Sequence, residues 1–302
     1  MAGKGRCASM MLSMENNRFR VDVEMVGAEL ISILDKANRR EYLWQGDPAV
    51  WAHRAPVLFP ACGPLEGGAL STQGRSYPME PGGFAMRLRH KLVCQDNGLI
   101  CMRLESTPET EALYPYRFAV KTTYALKENR VSSRMKVLNY GKRTMYFRCG
   151  FLTAFQCPFV PGTTAEDYAV RLEQPEALTL LERREDGLLT RQTRMWEPER
   201  GVIPLRSGAL DGGLLLKEPT SQYLQYSCGS TGEYVRVYLR GAPYAYLRTA
   251  PAQERQMLCV GSCHGTPDFA GSSAPWEQQE NIIALGSMEE YYAHQTIEIG
   301  TV

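Results

Sequence analysis

The side chains that could do chemistry in this chain of 302 residues are two histidines, two aspartates and three arginines. A histidine titrates near neutrality, so His264 is the candidate for proton transfer. An arginine presents a planar fork of N–H donors that binds carboxylate or phosphate through two hydrogen bonds. The residues that we predict to contact a ligand are Asp211, Asp268, His264, Arg248, Arg148, Arg87 and His53.

The same residue types also have structural roles, and both interpretations stay open at this stage. Asp268 follows Pro267, and Asp211 precedes two glycines, which are positions where aspartate commonly stabilises a turn. Most histidines in proteins are structural, and His264 could be one of them. Arginines most often lie on a solvated face of a strand.

Cysteine usage bears on metals and on the redox compartment. The nine cysteines are an odd number, are scattered along the chain and include no CxxC pair. This pattern fits neither a disulfide framework nor a zinc site, and it is typical of small buried residues that stay reduced in a cytosol. We therefore predict no metal site and no organic cofactor.

The overall charge and hydropathy limit the possible partners. Lys and Arg number 34 against 33 Asp and Glu, so the whole molecule does not attract polyanions, and nucleic acid is excluded as the expected partner. The apolar run Met10–Leu12 is too short for a signal peptide, and no stretch has the length of a membrane helix. These features predict a cytoplasmic protein without a membrane partner, and they leave the oligomeric state open.

The elements that must position these side chains are predicted to be strands. Apolar residues alternate with a period of two at Phe19, Val21 and Val23 and again at Val235 and Val237, with turn signals between such runs. Many short strands predict an all-β antiparallel sandwich or barrel with few short helices, the best of which covers 163–170. No linker divides the chain, which predicts one domain over 1–302 with a flexible extension at 1–16.

Several segments together resemble the aldose 1-epimerase (galactose mutarotase-like) family, in particular a bacterial branch similar to proteins encoded in lactose operons. The most specific segment runs from Trp44 to Pro60. The others are Gly27–Leu30, Gly83–Ala85, Tyr114–Phe118, Gly150 with Ala154–Pro158, and His264–Asp268. This resemblance implies a large antiparallel β-sandwich with a sugar cleft on one sheet, and a small-molecule carbohydrate as ligand.

The resemblance also implies where the catalytic groups of such an enzyme would stand, and this chain departs from the pattern there. The family moves protons with a glutamate and a histidine, whose positions are occupied by Gly261 and Leu152. A second histidine and an arginine are replaced in Gly82–Met86, and Pro64 stands where a further arginine is usual. Asp211 matches an aspartate that contacts sugar hydroxyls in the family. Ordinary mutarotase activity is therefore not expected, and whether the protein is an enzyme stays open.

Three functions remain in competition after this comparison. The first is a carbohydrate-binding protein that has lost mutarotase chemistry. The second is an isomerase for a modified or anionic sugar, with arginines holding the charge and His264 moving the proton. The third is a regulatory or structural protein without a small ligand. A neutral sugar should bind in the first case, an anionic sugar in the second, and neither in the third.

Overall fold

Two large antiparallel sheets carry most of the chain, for which the computed structural model describes residues 11–250 and 256–302. Alternating burial explains the strands, as in β10, where Val120, Thr122 and Tyr124 are buried and Lys121 is exposed. Within the described residues the strands are β1 Met11–Glu15, β2 Phe19–Glu24, β3 Leu30–Asp35, β4 Arg40–Glu41, β5 Val57–Leu58, β6 Ala69–Thr72, β7 Arg75–Pro78, β8 Lys91–Asp96, β9 Leu99–Glu105, β10 Phe118–Lys127, β11 Arg130–Asn139, β12 Met145–Phe147, β13 Cys149–Gln156, β14 Tyr168–Leu172, β15 Leu178–Arg183, β16 Leu189–Trp196, β17 Val202–Pro204, β18 Leu214–Lys217, β19 Tyr223–Cys228, β20 Glu233–Tyr238, β21 Tyr244–Thr249, β22 Met257–His264, β23 Ile283–Leu285 and β24 Glu290–Thr301.

The sheets differ in size and in how far they run across the molecule. The nine-stranded sheet has the order β17-β14-β19-β20-β24-β11-β10-β9-β8, and the seven-stranded sheet has the order β16-β15-β18-β21-β22-β13-β5. A four-stranded sheet, β1-β2-β3-β4, and the pairs β6-β7 and β12-β23 complete the arrangement in the described part of the chain. The predicted all-β antiparallel sandwich is confirmed.

The core between the two large sheets explains why they stack. Leu247 and Val260 of the seven-stranded sheet and Val237 and Ile297 of the nine-stranded sheet are buried in one apolar cluster. Burial of such side chains is the main favourable contribution to folding, at roughly 25 cal/mol per Å² of apolar surface. A hydrogen bond of 2.8 Å from Thr153 to a side-chain oxygen of Gln295 also crosses the sandwich.

The helices are few and short, as predicted, but the prediction of a helix over 163–170 is wrong. The helical elements of the described residues are α1 Pro108–Glu111 and the 3₁₀ turns Glu66–Gly68, Ala85–Arg87, Ala165–Asp167, Glu199–Gly201, Leu205–Ser207 and Trp276–Gln278. The helix predicted over 163–170 stops after one turn, because Tyr168–Leu172 pairs with β19 instead. The capping signal at Thr164 is real and caps only this turn. No helix among the residues that the structure describes is long and apolar enough to cross a membrane.

Part of the segment predicted to be a flexible N-terminal extension, 1–16, forms a strand. Residues 1–10 lie outside the described residues, but Met11–Glu15 forms β1 and pairs with β2 along its whole length. Leu12 and Met14 are buried, so these residues contribute to the core. A period-two pattern of buried residues holds this segment on the sheet, and the prediction of a flexible segment is wrong for 11–15.

Candidate functional site

A cavity of about 950 Å³ lies on the face of the seven-stranded sheet that points away from the nine-stranded sheet. Strand alternation fixes this face, because Leu247 and Val260 point into the core while Tyr246, Arg248 and Cys259 point into the cavity. Lining residues from the ranges 51–64, 81–87, 182–187, 209–213 and 265–267 surround this floor. The volume is in the range of small-molecule sites.

The centre of the cavity floor is apolar and closely packed. Leu152 of β13 and Gly261 of β22 are directly paired across the two neighbouring strands. A Cβ atom added at Gly261 would lie 2.7 Å from Cδ2 of Leu152 and 2.9 Å from Cβ of Tyr246. Neither an imidazole nor a carboxylate is among these contacts. The two positions to which the resemblance assigns the acid and the base are therefore adjacent, and neither carries a proton-transfer group.

One wall of the cavity lies around Gly213, where Arg183 meets Tyr246. Arg183 donates hydrogen bonds of 2.7 and 2.9 Å to the carbonyl oxygens of Gly212 and Gly213, and its guanidinium carbon lies 5.0 Å from the centre of the Tyr246 ring. Gly213 has φ of +73°, and a Cβ there would lie 2.7 Å from Arg183 Nη2. A glycine is thus required for this contact.

Arg248 and Asp211 complete the same wall, and both were predicted from the sequence. Arg248 lies two residues after Tyr246 on β21, so the two side chains are on the same face of this strand. Within residues 11–250 and 256–302, no hydrogen bond or ion pair of the Arg248 side chain is found. Asp211 accepts a hydrogen bond of 3.0 Å from Thr249 Oγ1. Both side chains line the cavity.

Arg183 was not predicted, and no motif marks it. The available signal was the alternation in β15, where Leu178 and Leu180 belong to the core, although a register shift between Leu181 and Arg183 weakens that pattern. The order β15-β18-β21 brings Arg183 to Tyr246, and that order can be read only from the folded sheet.

Arg87 and His53 line the opposite part of the cavity and are held by protein groups. Arg87 forms an ion pair of 2.8 Å with Glu80 and donates a hydrogen bond to the carbonyl of Gly83. His53 Nδ1 lies 3.6 Å from a carboxylate oxygen of Glu29, whose other oxygen accepts the backbone N–H groups of residues 54 and 55. The imidazole is therefore placed beside a fixed carboxylate.

Arg148 and Asp268 lie outside the cavity lining and form a buried ion pair. Arg148 Nη1 donates to Asp268 Oδ1 at 2.6 Å, and the two side chains are 0% and 4% exposed. Arg148 also donates to the carbonyl of Glu280 at 3.0 Å and stacks over Trp276 at 4.8 Å. Asp268 Oδ2 accepts the backbone N–H of Glu66 at 3.1 Å. These contacts enclose both groups within the protein, and this geometry does not support the predicted contact of either residue with a ligand.

His264 also points away from the cavity, which corrects its assignment as the proton-transfer candidate. It follows Gly261 by three residues, and residues an odd number apart on one strand face opposite sides. Its Nδ1 atom is hydrogen-bonded to Tyr291 Oη of β24 at 2.7 Å, between the two sheets. Burial, and next the neighbouring His294, lower the pKa of His264 to about 4. The ring is a neutral part of the interior.

The cysteines near the cavity are in an environment that favours the thiol form. Burial raises the pKa of Cys259 to about 12 and also raises the pKa of Cys62 and of Cys149. A thiolate is the form that attacks electrophiles and binds metals, so these thiols are poor nucleophiles. Within the described residues, no group of three or more His, Cys, Asp or Glu side chains could hold a metal ion.

Comparison with known proteins agrees with this architecture. Residues 10–200 match the aldose 1-epimerase family. The chromosomal and plasmid LacX proteins of Lactococcus lactis subsp. lactis are each 30% identical over 192 residues, which is 61% of this chain. The chain spans 64% of the length of these relatives.

Solved structures match over nearly the whole chain. A galactose mutarotase related enzyme from Lactobacillus acidophilus has a TM-score of 0.92 at 22% identity, covering 97% of this chain and 98% of its own. A galactose mutarotase-like protein from Lactobacillus casei has a TM-score of 0.88 at 23% identity, covering 96% of this chain and 100% of its own. At these identities the likeness shows the fold. Together with the match over residues 10–200, it establishes that the chain belongs to the aldose 1-epimerase family.

Proposed function

We propose that this protein binds a carbohydrate in the cavity of the seven-stranded sheet and does not accelerate the anomeric exchange of ordinary free sugars. The observation that carries the proposal is the direct pairing of Leu152 with Gly261 on the cavity floor. Mutarotation needs one group to take the proton of the anomeric hydroxyl and another to protonate the ring oxygen. A methyl-terminated side chain and a hydrogen atom can do neither.

The expected size of the loss makes the proposal testable. General acid and base groups contribute about 10² to 10⁴-fold each, so an enzyme without both keeps little of its rate enhancement. Polarimetry, or exchange spectroscopy by NMR, on freshly dissolved glucose and galactose measures the exchange rate directly. We expect the rate with this protein to equal the rate in buffer. Turnover like that of an ordinary mutarotase would contradict the proposal.

Binding requires its own measurement, because a lack of turnover does not show that a sugar is held. Isothermal calorimetry with a panel of neutral and anionic sugars should find at least one ligand, and the same ligand should raise the unfolding temperature. Asp211→Asn should weaken this binding by roughly tenfold, since a carboxylate is a stronger hydrogen-bond acceptor than an amide.

Asp96 offers a matched control for Asp211, since it is also a turn aspartate and its carboxylate accepts the backbone N–H of Gly98 at 2.8 Å. Asp96→Asn should leave the affinity unchanged. If no sugar binds, the third class of function, a regulatory or structural protein without a small ligand, replaces this proposal.

A second candidate function is an isomerase that uses relocated groups on a modified sugar. The observation in its favour is His53, an imidazole that lines the cavity beside the Glu29 carboxylate at 3.6 Å. Such a carboxylate can orient an imidazole for proton transfer. His53→Gln should then abolish exchange of the accepted sugar while its binding persists. Unchanged exchange in that variant would exclude this route.

We further propose that the protein is cytoplasmic and that its chain forms one domain. Both proposals rest on the sequence. Cell fractionation tests the location. Limited proteolysis tests the domain organisation, because one domain should give a single resistant fragment rather than two.

A further inference from the structure

The charges that line the cavity are not equally compensated. Three of its arginines have carboxylate partners: Arg87 pairs with Glu80, Arg184 with Asp186 and Arg194 with Glu182, at 2.8, 3.0 and 2.9 Å. Arg183 and Arg248 have no carboxylate partner within residues 11–250 and 256–302. Arg183 contacts Tyr246, and Arg248 lies two residues after Tyr246 on the same face of β21.

We propose that Arg183, Tyr246 and Arg248 form a subsite for an oxyanion carried by the sugar, either a carboxylate or a phosphate group. This inference rests on the carbohydrate-binding function proposed above and specifies its ligand class. Two guanidinium groups beside one tyrosine hydroxyl, at the edge of an apolar floor, select a negatively charged substituent over a hydroxyl group.

The donors available on this wall can be counted. A guanidinium has five N–H donors, and Arg183 uses three of them, two on the carbonyls of Gly212 and Gly213 and one on Tyr246 Oη at 3.4 Å. Two donors of Arg183 remain, and all five of Arg248 have no partner among the described residues. These seven exceed the roughly four lone-pair sites of a carboxylate, so a phosphate group would use the wall more fully.

The wall is also rigid on one side. Arg183 is tied to two carbonyls and stacked on the Tyr246 ring at 5.0 Å, and a ring stacked in this way limits its movement. Such a fixed group loses little side-chain entropy when an anion binds. Arg248 is the adaptable partner, and its position on β21 keeps its backbone in the sheet.

Asp211 adds a carboxylate to the cavity lining. Its Oδ1 atom accepts from Thr249, and Thr249 faces the opposite side of β21 from Arg248 because the two are consecutive in a strand. A carboxylate accepts hydrogen bonds from hydroxyl groups. Asp211 therefore suits the sugar hydroxyls, while the arginine wall suits the anionic substituent.

The test compares glucose, glucose 6-phosphate and glucuronate by isothermal calorimetry on the full chain. We expect at least one anionic sugar to bind ten to a hundred times more tightly than glucose, since a hydrogen bond to a charged group is worth about one to two powers of ten in affinity. Arg248→Gln should remove this preference, so that the anionic sugar binds no more tightly than glucose. The tighter of the two anions identifies the group.

Arg191→Gln is the matched control, because Arg191 is an exposed arginine of the neighbouring strand β16, pairs with Glu280 and does not line the cavity. It should keep the preference for the anion. Arg183→Lys gives a second test at a residue that also holds the 212–213 turn, and circular dichroism reports whether each variant is folded.

Equal affinity for glucose and both anions would overturn the anion subsite and leave the carbohydrate-binding proposal intact. A preference for the anion that survives both Arg248→Gln and Arg183→Lys in folded protein would also overturn it. If none of the three sugars binds, the subsite fails, and the wider panel of sugars described above decides whether the proposed function fails as well.

Discussion

Replacing Arg148 by methionine tests whether this arginine is structural, as its buried contacts indicate. The substitution leaves the carboxylate of Asp268 buried, and among the described residues its remaining partner is the backbone N–H of Glu66. Breaking a buried ion pair by removing one partner costs about 3–5 kcal/mol, because the remaining charge is uncompensated. The stacking of Arg148 over Trp276 is lost as well. Against a typical stability of about 5–15 kcal/mol, this is a large loss.

Urea unfolding followed by circular dichroism measures this loss. Arg191→Met is the control, since Arg191 pairs with Glu280 at the surface with 71% of its side chain exposed, and such pairs contribute about 0–1 kcal/mol. Arg148→Met combined with Asp268→Asn should recover part of the stability, because the uncompensated charge is removed. The reasoning would be refuted if Arg148→Met cost less than about 1 kcal/mol. It would also be refuted if folded Arg148→Met lost sugar binding, because the residue would then act in the site.

Two further predictions concern the floor of the cavity and the interior. Gly261→Glu alone should not create mutarotase activity and should lower the unfolding temperature, because its Cβ would lie 2.7 Å from Leu152 and 2.9 Å from Tyr246. When Gly261→Glu is combined with Leu152→His, the unfolding temperature should fall less. Thermal unfolding measures the stability of both variants, and polarimetry measures their activity. Burial, chiefly, lowers the pKa of His264 and of His90 to about 4, below the ordinary value of 6.5. Each neutral ring therefore contributes stability that is present above pH 6.5 and is lost as the pH falls toward 4, by up to about 3 kcal/mol each. Unfolding free energies measured from pH 7 to pH 4.5 should fall less steeply in His264→Gln and His90→Gln than in the parent, and equal slopes would contradict the argument.

The fold class could be predicted because the alternation of apolar and polar residues is visible in the sequence itself. The alternation at Phe19, Val21 and Val23 became β2, and the alternation at Val235 and Val237 became β20. Such a pattern states that one face of a strand is buried, whichever strand lies beside it. The helix over 163–170 was wrong because a capping signal marks where a helical turn begins and not how far it continues.

The sequence also predicted that Leu152 and Gly261 occupy the positions of the acid and the base, because the segments around them resemble the family. It could not reveal that the two positions are directly paired, because register between strands about a hundred residues apart depends on the whole sheet. Once the bounds of β22 are known, strand alternation puts His264 on the opposite face from Gly261, because the two are three residues apart.

Tertiary structure alone decided which arginines line the cavity. Arg148 is buried against Asp268, which is 120 positions away in the sequence. The residues next to Arg148 in the sequence therefore do not reveal this partner. Arg183 reaches the cavity because β18 separates β15 from β21 and because Gly213 leaves room for its guanidinium. Local preference sets where strands form, whereas the order of strands in a sheet is set by the packing of all of them at once. Residue types and strand positions were therefore readable from the sequence, and the composition of the site was fixed only by the fold.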